Sequence, residues 1–156
     1  PQGGAIGPLL ANIALHGMEE SIKDFVGEFP GGERAKKRRA VSLIRYADDF
    51  VIIHENQDVI MKCRDHISEW LKGMGLELKE AKIHITHTLE GDRSGFDFLG
   101  FNIRQHQVGK YKTGNHTQGE PLGFKTIIKP SRKAINTHYQ KLKEIVDSHI
   151  PAPQEA

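Results

Sequence analysis

Apolar residues recur near the start of the chain at Leu9, Leu10, Ile13, Leu15, Met18, Ile22 and Phe25, with Pro8 just ahead of them. Steps of three and four put these on one face, and a proline suits the first turn, so the spacing predicts one helix. Residues 27–39 lose the pattern and read as a loop entered through Pro30-Gly31-Gly32. Two β-prone runs follow, residues 41–46 and 50–54, split by Ala47-Asp48-Asp49. They predict a hairpin with a tight acidic turn. Asp58 stands where it can cap a second helix, which carries Val59, Ile60, Cys63, Ile67, Trp70, Leu71 and Met74 and ends at Gly73 and Gly75. Residues 76–78 and 83–87 read as short strands. Residues 96–103 are apolar and aromatic, punctuated by Gly95 and Gly100, and residues 105–119 are polar and loop-like. Residues 124–129 suit a strand returning to pair with Phe101-Asn102-Ile103. Pro130-Ser131 opens a final helix bearing Ala134, Ile135, Leu142, Ile145 and Val146, and the tail from Ile150 is expected to fray. Hairpins and helices in separate runs predict an α+β fold.

Composition adds bounds. With 156 residues, 37% hydrophobic and 27% charged, the chain suits one soluble domain, or one and a part. The single cysteine, Cys63, excludes an internal disulfide, and no Cys cluster exists for a structural zinc. A reducing, cytoplasmic setting is the default. No apolar run is long enough to span a bilayer and no signal peptide opens the chain, so no membrane partner is expected. The opening Pro1-Gln2-Gly3-Gly4 reads like the interior of a longer protein.

Net charge is 22 − 20 = +2, but it is unevenly placed. Residues 1–100 hold 13 basic and 16 acidic side chains, and residues 101–156 hold 9 and 4, giving −3 and +5. A basic C-terminal portion suits phosphate contacts that release counterions. The cluster of Arg34, Lys36, Lys37, Arg38 and Arg39 reads more simply as a solvated loop. His84 and His87 lack a third well-spaced ligand for zinc.

The acidic turn is the sharpest chemical feature. Asp48 and Asp49 are adjacent like charges between apolar strands, and a divalent cation would relieve their repulsion. Hard cations such as Mg²⁺ take oxygen ligands. Neighbouring strand residues face opposite ways, so Asp48 is expected to be the direct ligand and Asp49 peripheral or water-mediated. Asp is also common in ordinary turns, and a bare Asp-Asp pair proves little.

The pair is not bare. Arg45-Tyr46-Ala47-Asp48-Asp49-Phe50 resembles the Y-x-D-D hairpin of reverse transcriptases, and the form with Ala resembles group II intron reverse transcriptases, or maturases. Residues 1–13, from Pro1-Gln2-Gly3-Gly4 to Ile13, resemble the block upstream of that hairpin. Residues 75–82 resemble the next block, centred on a lysine. Gly95-Phe96-Asp97-Phe98-Leu99-Gly100-Phe101 resembles the block closing the palm, and Ile128-Lys129-Pro130-Ser131 the entry to the thumb, or maturase domain X. Five blocks in order span nearly the whole chain.

The resemblance implies a palm-type antiparallel sheet with helices on one face, followed by the first helix of a thumb. It divides the chain into a partial palm at 1–108, a connecting loop and strand at 109–130, and the start of the thumb with a frayed tail at 131–156. It implies an RNA-directed DNA polymerase in which a primer 3′ hydroxyl attacks a nucleotide α-phosphate between two Mg²⁺ ions, with Mn²⁺ as an alternative. Asp48 and Asp49 would hold metal and Lys82 would meet the leaving pyrophosphate. Gln2, Gly3 and Gly4 would lie near the nascent base pair, and Tyr46 beneath the primer end, although a strand Tyr is more often core. Gly95, Leu99 and Gly100 would grip the primer, with packing the simpler role for Phe98 and Leu99. Lys129, Arg132 and Lys133 would contact nucleic-acid backbone. The implied partners are an RNA template, a DNA primer, dNTP and a group II intron RNA.

The family's other catalytic Asp would precede Pro1, as would the fingers, so this piece is not expected to polymerise alone. Gly7 stands where Ser is frequent and Ile83 where Thr is usual. The alternatives are an intron-RNA-binding module with an idle hairpin, and a retron or CRISPR-associated reverse transcriptase.

Overall fold

The computed structural model describes residues 7–109, 111–115 and 119–150. The N-terminal apolar stripe forms two helices rather than the one its spacing predicts, α1 (Gly7–Ala14) and α2 (Met18–Gly27). Gly17, at φ +88°, breaks them, because a left-handed residue cannot continue a right-handed helix. The break decides burial. Leu15, Met18, Ile22 and Val26 are buried, while Leu9, Leu10 and Ile13 on α1 are more than half exposed.

Residues 27–39 are not all loop. Gly31 and Gly32 turn the chain at positive φ, and Arg34–Ala40 forms a short helix, α3. Its cause is a pair of arginines four residues apart, which share a side only when helical. Their stems lie over Gly27, where an added Cβ would stand 3.1 Å from Cγ of both Arg34 and Arg38. Their heads reach α2. Arg34 Nη2 lies 2.7 Å from Asp24 Oδ1, Arg38 Nη2 lies 2.7 Å from Glu20 Oε2, and Arg38 also meets Asp24. The basic cluster is thus partly consumed in joining α3 to α2.

The acidic hairpin is β1 (Ser42–Tyr46) against β2 (Asp49–Ile53), antiparallel. Helix α4 (Gln57–Lys72) follows. Its cap is Asn56, not Asp58: the Asn56 side chain accepts from the Asp58 and Val59 amides at 2.8 and 3.4 Å. Asp58 falls inside the first turn, where its charge suits the helix N-terminus but it can no longer cap. Cys63, Ile67 and Leu71, one turn apart, are buried against Met18, Ile22 and Val26, with Val41 among them. Leu43, Phe50 and Ile52 pack on this cluster from one side of the hairpin. Helices therefore cover one face of the two-stranded sheet.

Residues 76–78 and 83–87 form no strands, because no described neighbour offers them a ladder; a single 3-10 turn, Glu80–Lys82, lies between. The chain divides into two compact units between Ile85 and Thr86. In the second, β3 (Phe96–Phe98), β4 (Phe101–Gln107) and β5 (Phe124–Pro130) form an antiparallel sheet in that order. The expected pairing holds, with Phe101, Asn102 and Ile103 opposite Pro130, Lys129 and Ile128. Helix α5 (Arg132–His149) starts where expected, capped by the Ser131 hydroxyl, which accepts from the Ala134 amide at 3.2 Å. Two antiparallel sheets with separate helices make the protein α+β. No helix among the described residues is long and apolar enough to cross a membrane.

Candidate active site

Tyr46 pairs directly with Asp49, so the turn is the two residues Ala47-Asp48 and Asp49 belongs to β2. Ala47 sits at φ +53° while Asp48 does not have positive φ, the sign pattern of a type II′ turn, which suits the twist of paired strands. The left-handed conformation costs Ala47 about 1–2 kcal/mol. Strain of this kind gathers where a turn must aim a side chain.

Alternation sorts the hairpin into two faces. Leu43, Arg45, Phe50 and Ile52 face the helices, and Ile44, Tyr46, Asp49 and Val51 share the other side. Tyr46 is 66% exposed and so is not core. Asp48 and Asp49 are both exposed, and neither carboxylate has an ion-pair partner among the described residues. With no such partner, the repulsion between the adjacent carboxylates is left for solvent or a bound cation to relieve. Hard oxygen donors suit Mg²⁺ or Mn²⁺ in kind. They fall short in number, since no group of three His, Cys, Asp or Glu gathers among the described residues.

Two residues under the turn had no assigned role in the sequence. Arg45 donates from Nη1 to the Ala47 carbonyl at 2.8 Å and to Asn12 Oδ1 on α1 at 2.9 Å. Arg45 stands immediately ahead of the Tyr-x-Asp-Asp string and Asn12 inside the first block, and only the fold brings them together. Lys82 ends the 3-10 turn, exposed and without an ion pair among the described residues. Gln2, Gly3 and Gly4 lie outside the described residues. Cys63 is fully buried, and desolvation pushes its thiol up to about 11, which leaves it chemically quiet.

The second unit carries the remaining candidates. Leu99 and Gly100, at φ +50° and +81°, form the two-residue turn between β3 and β4, the sign pattern of type I′. Leu99 is 46% exposed, so the turn presents it outward rather than packing it. Gly95, at φ +91°, is pressed against β4: an added Cβ would stand 2.7 Å from the Ile103 carbonyl oxygen and 2.9 Å from Arg104 Cβ. Packing alone accounts for that glycine. The Gly100 carbonyl accepts from the Ser131 amide at 2.8 Å, tying the turn to the start of α5. Between them lies an open groove of about 530 Å³, lined in part by Leu99, Gly100, Lys133, Thr137, His138 and Lys141. Lys129 and Arg132 are exposed but do not line it.

Comparison with known proteins agrees with these features. The reverse transcriptase (RNA-dependent DNA polymerase) family matches residues 1–103. Among individual proteins, the retron Ec86 reverse transcriptase of Escherichia coli is 28% identical over 116 residues, covering 72% of this chain and 32% of that protein. The chain therefore spans about a third of the length of that relative. No solved structure matches it. With two thirds of its length matched by one family, and the acidic hairpin inside the match, the chain belongs to the reverse transcriptase family.

Proposed function

We propose that this chain is the partial palm and thumb entry of an RNA-directed DNA polymerase of the group II intron type. The palm covers residues 1–108, the connection 109–130 and the thumb start 131–156. The observation that carries the reading is the hairpin tip, where two adjacent exposed carboxylates, Asp48 and Asp49, have no ion-pair partner among the described residues. Asp48 and Asp49 would hold divalent metal, together with a carboxylate from elsewhere in the whole protein. When bound, Mg²⁺ or Mn²⁺ would supply charge stabilisation on both sides of an in-line displacement at the nucleotide α-phosphate. Asp48, at the turn, presents its carboxylate first, and Asp49 lies one residue back beside Tyr46. The exposed Tyr46 ring offers an apolar seat for the primer end, and Lys82 a cation for the leaving pyrophosphate. Gln2, Gly3 and Gly4 would approach the nascent base pair. The Leu99-Gly100 turn, with Gly95 holding its base, and the Lys133-lined groove suit a primer strand, while Lys129 and Arg132 add phosphate contacts. The partners are an RNA template, a DNA primer, dNTP and an intron RNA, in an intracellular setting.

A retron reverse transcriptase is the second reading, favoured by the likeness to the Escherichia coli retron enzyme. Sequencing the RNA that copurifies with the whole protein separates the two. The test of the polymerase reading is Asp48→Ala in the whole protein. Removing a metal ligand worth several kcal/mol should lower primer extension by roughly 10³-fold or more while RNA binding and fold persist. Extension at the parental rate would refute the role, and loss of RNA binding alone would point to an RNA-holding module.

A further inference from the structure

Arg45 offers two protons on one nitrogen to two acceptors. Its Nη1 donates to the Ala47 carbonyl at 2.8 Å and to Asn12 Oδ1 at 2.9 Å. The first acceptor lies in the turn that carries Asp48, and the second lies on α1. We propose that Arg45 is a positioning residue that latches the acidic turn to α1 through Asn12, and so fixes where the Asp48 carboxylate stands during nucleotide transfer. The proposal rests on the polymerase reading above.

Three observations support it. A peptide unit is planar, so the Ala47 carbonyl, the Asp48 nitrogen and the Asp48 Cα move as one plate. Holding that carbonyl oxygen therefore holds the backbone from which the Asp48 side chain springs. Ala47 is in the left-handed region, where an L residue has no intrinsic preference to stay, so an outside bond is needed to keep the turn in one shape. Finally, Arg45 faces the helices, opposite Tyr46 and Asp49. Its guanidinium meets the turn at the Ala47 carbonyl, so its hold on Asp48 passes through the turn backbone. Asn12 is the anchor: among the described residues this is the one side-chain hydrogen bond between α1 and the hairpin. The planar guanidinium aims two protons at two acceptors, which a lysine ammonium does not reproduce.

The test compares Arg45→Met, Asn12→Ala, Asn12→Asp, the Arg45→Met/Asn12→Ala double variant and the reference Asp48→Ala in the reverse transcriptase that carries this chain. A displacement of about 1 Å costs up to roughly 10²-fold in rate. Arg45→Met should lower kcat about 10- to 100-fold, leave KM for dNTP within about twofold, and raise the Mg²⁺ needed for half-maximal rate. Asn12→Ala should act in the same direction, Asn12→Asp should restore the rate by keeping the acceptor, and the double variant should be no worse than Arg45→Met. In this chain alone, Arg45→Met should speed amide exchange at Asp48 and Asp49 while α4 is unchanged. An unchanged kcat, fully additive losses, or unaltered exchange at the turn would overturn the latch. Should Arg45→Met fail to fold, Asn12→Ala against Asn12→Asp carries the same comparison, since Asn12 is exposed. If Asp48→Ala retains full synthesis, the polymerase reading fails, and turn exchange alone decides whether the latch exists.

Discussion

Gly95→Ala tests whether this glycine serves packing rather than a primer. The new methyl would be placed 2.7 Å from the Ile103 carbonyl oxygen, 2.9 Å from Arg104 Cβ and 3.2 Å from Arg104 Cγ. The nearest of these is backbone within β4, which also pairs with β3 and β5, so it cannot swing aside as a side-chain tip would. At φ +91° the residue would also pay the left-handed penalty, about 1–2 kcal/mol. Overpacking against fixed atoms adds about 1–3 kcal/mol. The less flexible unfolded chain gives back about 0.4–1 kcal/mol. The net loss is about 2–4 kcal/mol, a large part of a typical domain's stability. Native-state hydrogen exchange of β4 and β5 amides reads this as roughly 30- to 700-fold faster opening. The control is Gly100→Ala, where the nearest neighbour of the new methyl, Ala134 Cβ, is 3.7 Å away and only the backbone cost applies, about 0.5–1 kcal/mol. Equal effects at the two positions, or a Gly95→Ala loss below about 0.5 kcal/mol, would refute the close-approach reasoning.

Replacing Lys129, Arg132 and Lys133 together by Gln should flatten the salt dependence of RNA binding by about 2–3 units of log–log slope, since each lost phosphate contact accounts for roughly 0.7–0.9. A filter-binding titration from low to high salt checks this, and an unchanged slope would place binding elsewhere. Burial raises the Cys63 thiol to about 11 from an ordinary 9.0. A raised native value means the unfolded chain releases this proton first, so its contribution to stability is intact below about pH 9 and declines as pH rises through about 11. Urea melts from pH 8 to 11 should show that decline in the parent and less of it in Cys63→Ala; identical profiles would remove the cysteine as the cause. Asp48→Ala and the Arg45–Asn12 set described above complete the tests.

Local patterning reached far into the second unit. The return of a strand over 124–129 onto 101–103 and the opening of α5 after Pro130-Ser131 followed from β-prone runs and punctuating residues, while the register, with Pro130 inside β5 opposite Phe101, came from the fold. It reached less far where two segments compete for the same neighbour. One glycine at Gly17 split a stripe that read as continuous, because periodicity counts side chains and is blind to a single left-handed residue. Helix α3 was hidden because its apolar surface comes from arginine stems, which hydropathy scores as polar. Strands at 76–78 and 83–87 failed because a strand exists only with a partner.

The candidate site divides the same way. Sequence alone determined where the candidate chemistry lies: adjacent carboxylates between two β-prone runs, and a basic start to the last helix. These are properties of residue type and short spacing, which the chain writes directly. Tertiary structure decided what those residues are free to do. It moved Asp49 from the turn into β2, left Tyr46 exposed on the same side of the hairpin, and pressed Gly95 against β4. It also brought Asn12 to Arg45, 33 positions apart, under the acidic turn. A hydrogen bond across that separation has no local signature, because it depends on how α1 and the hairpin settle together, which residue type and short spacing do not specify.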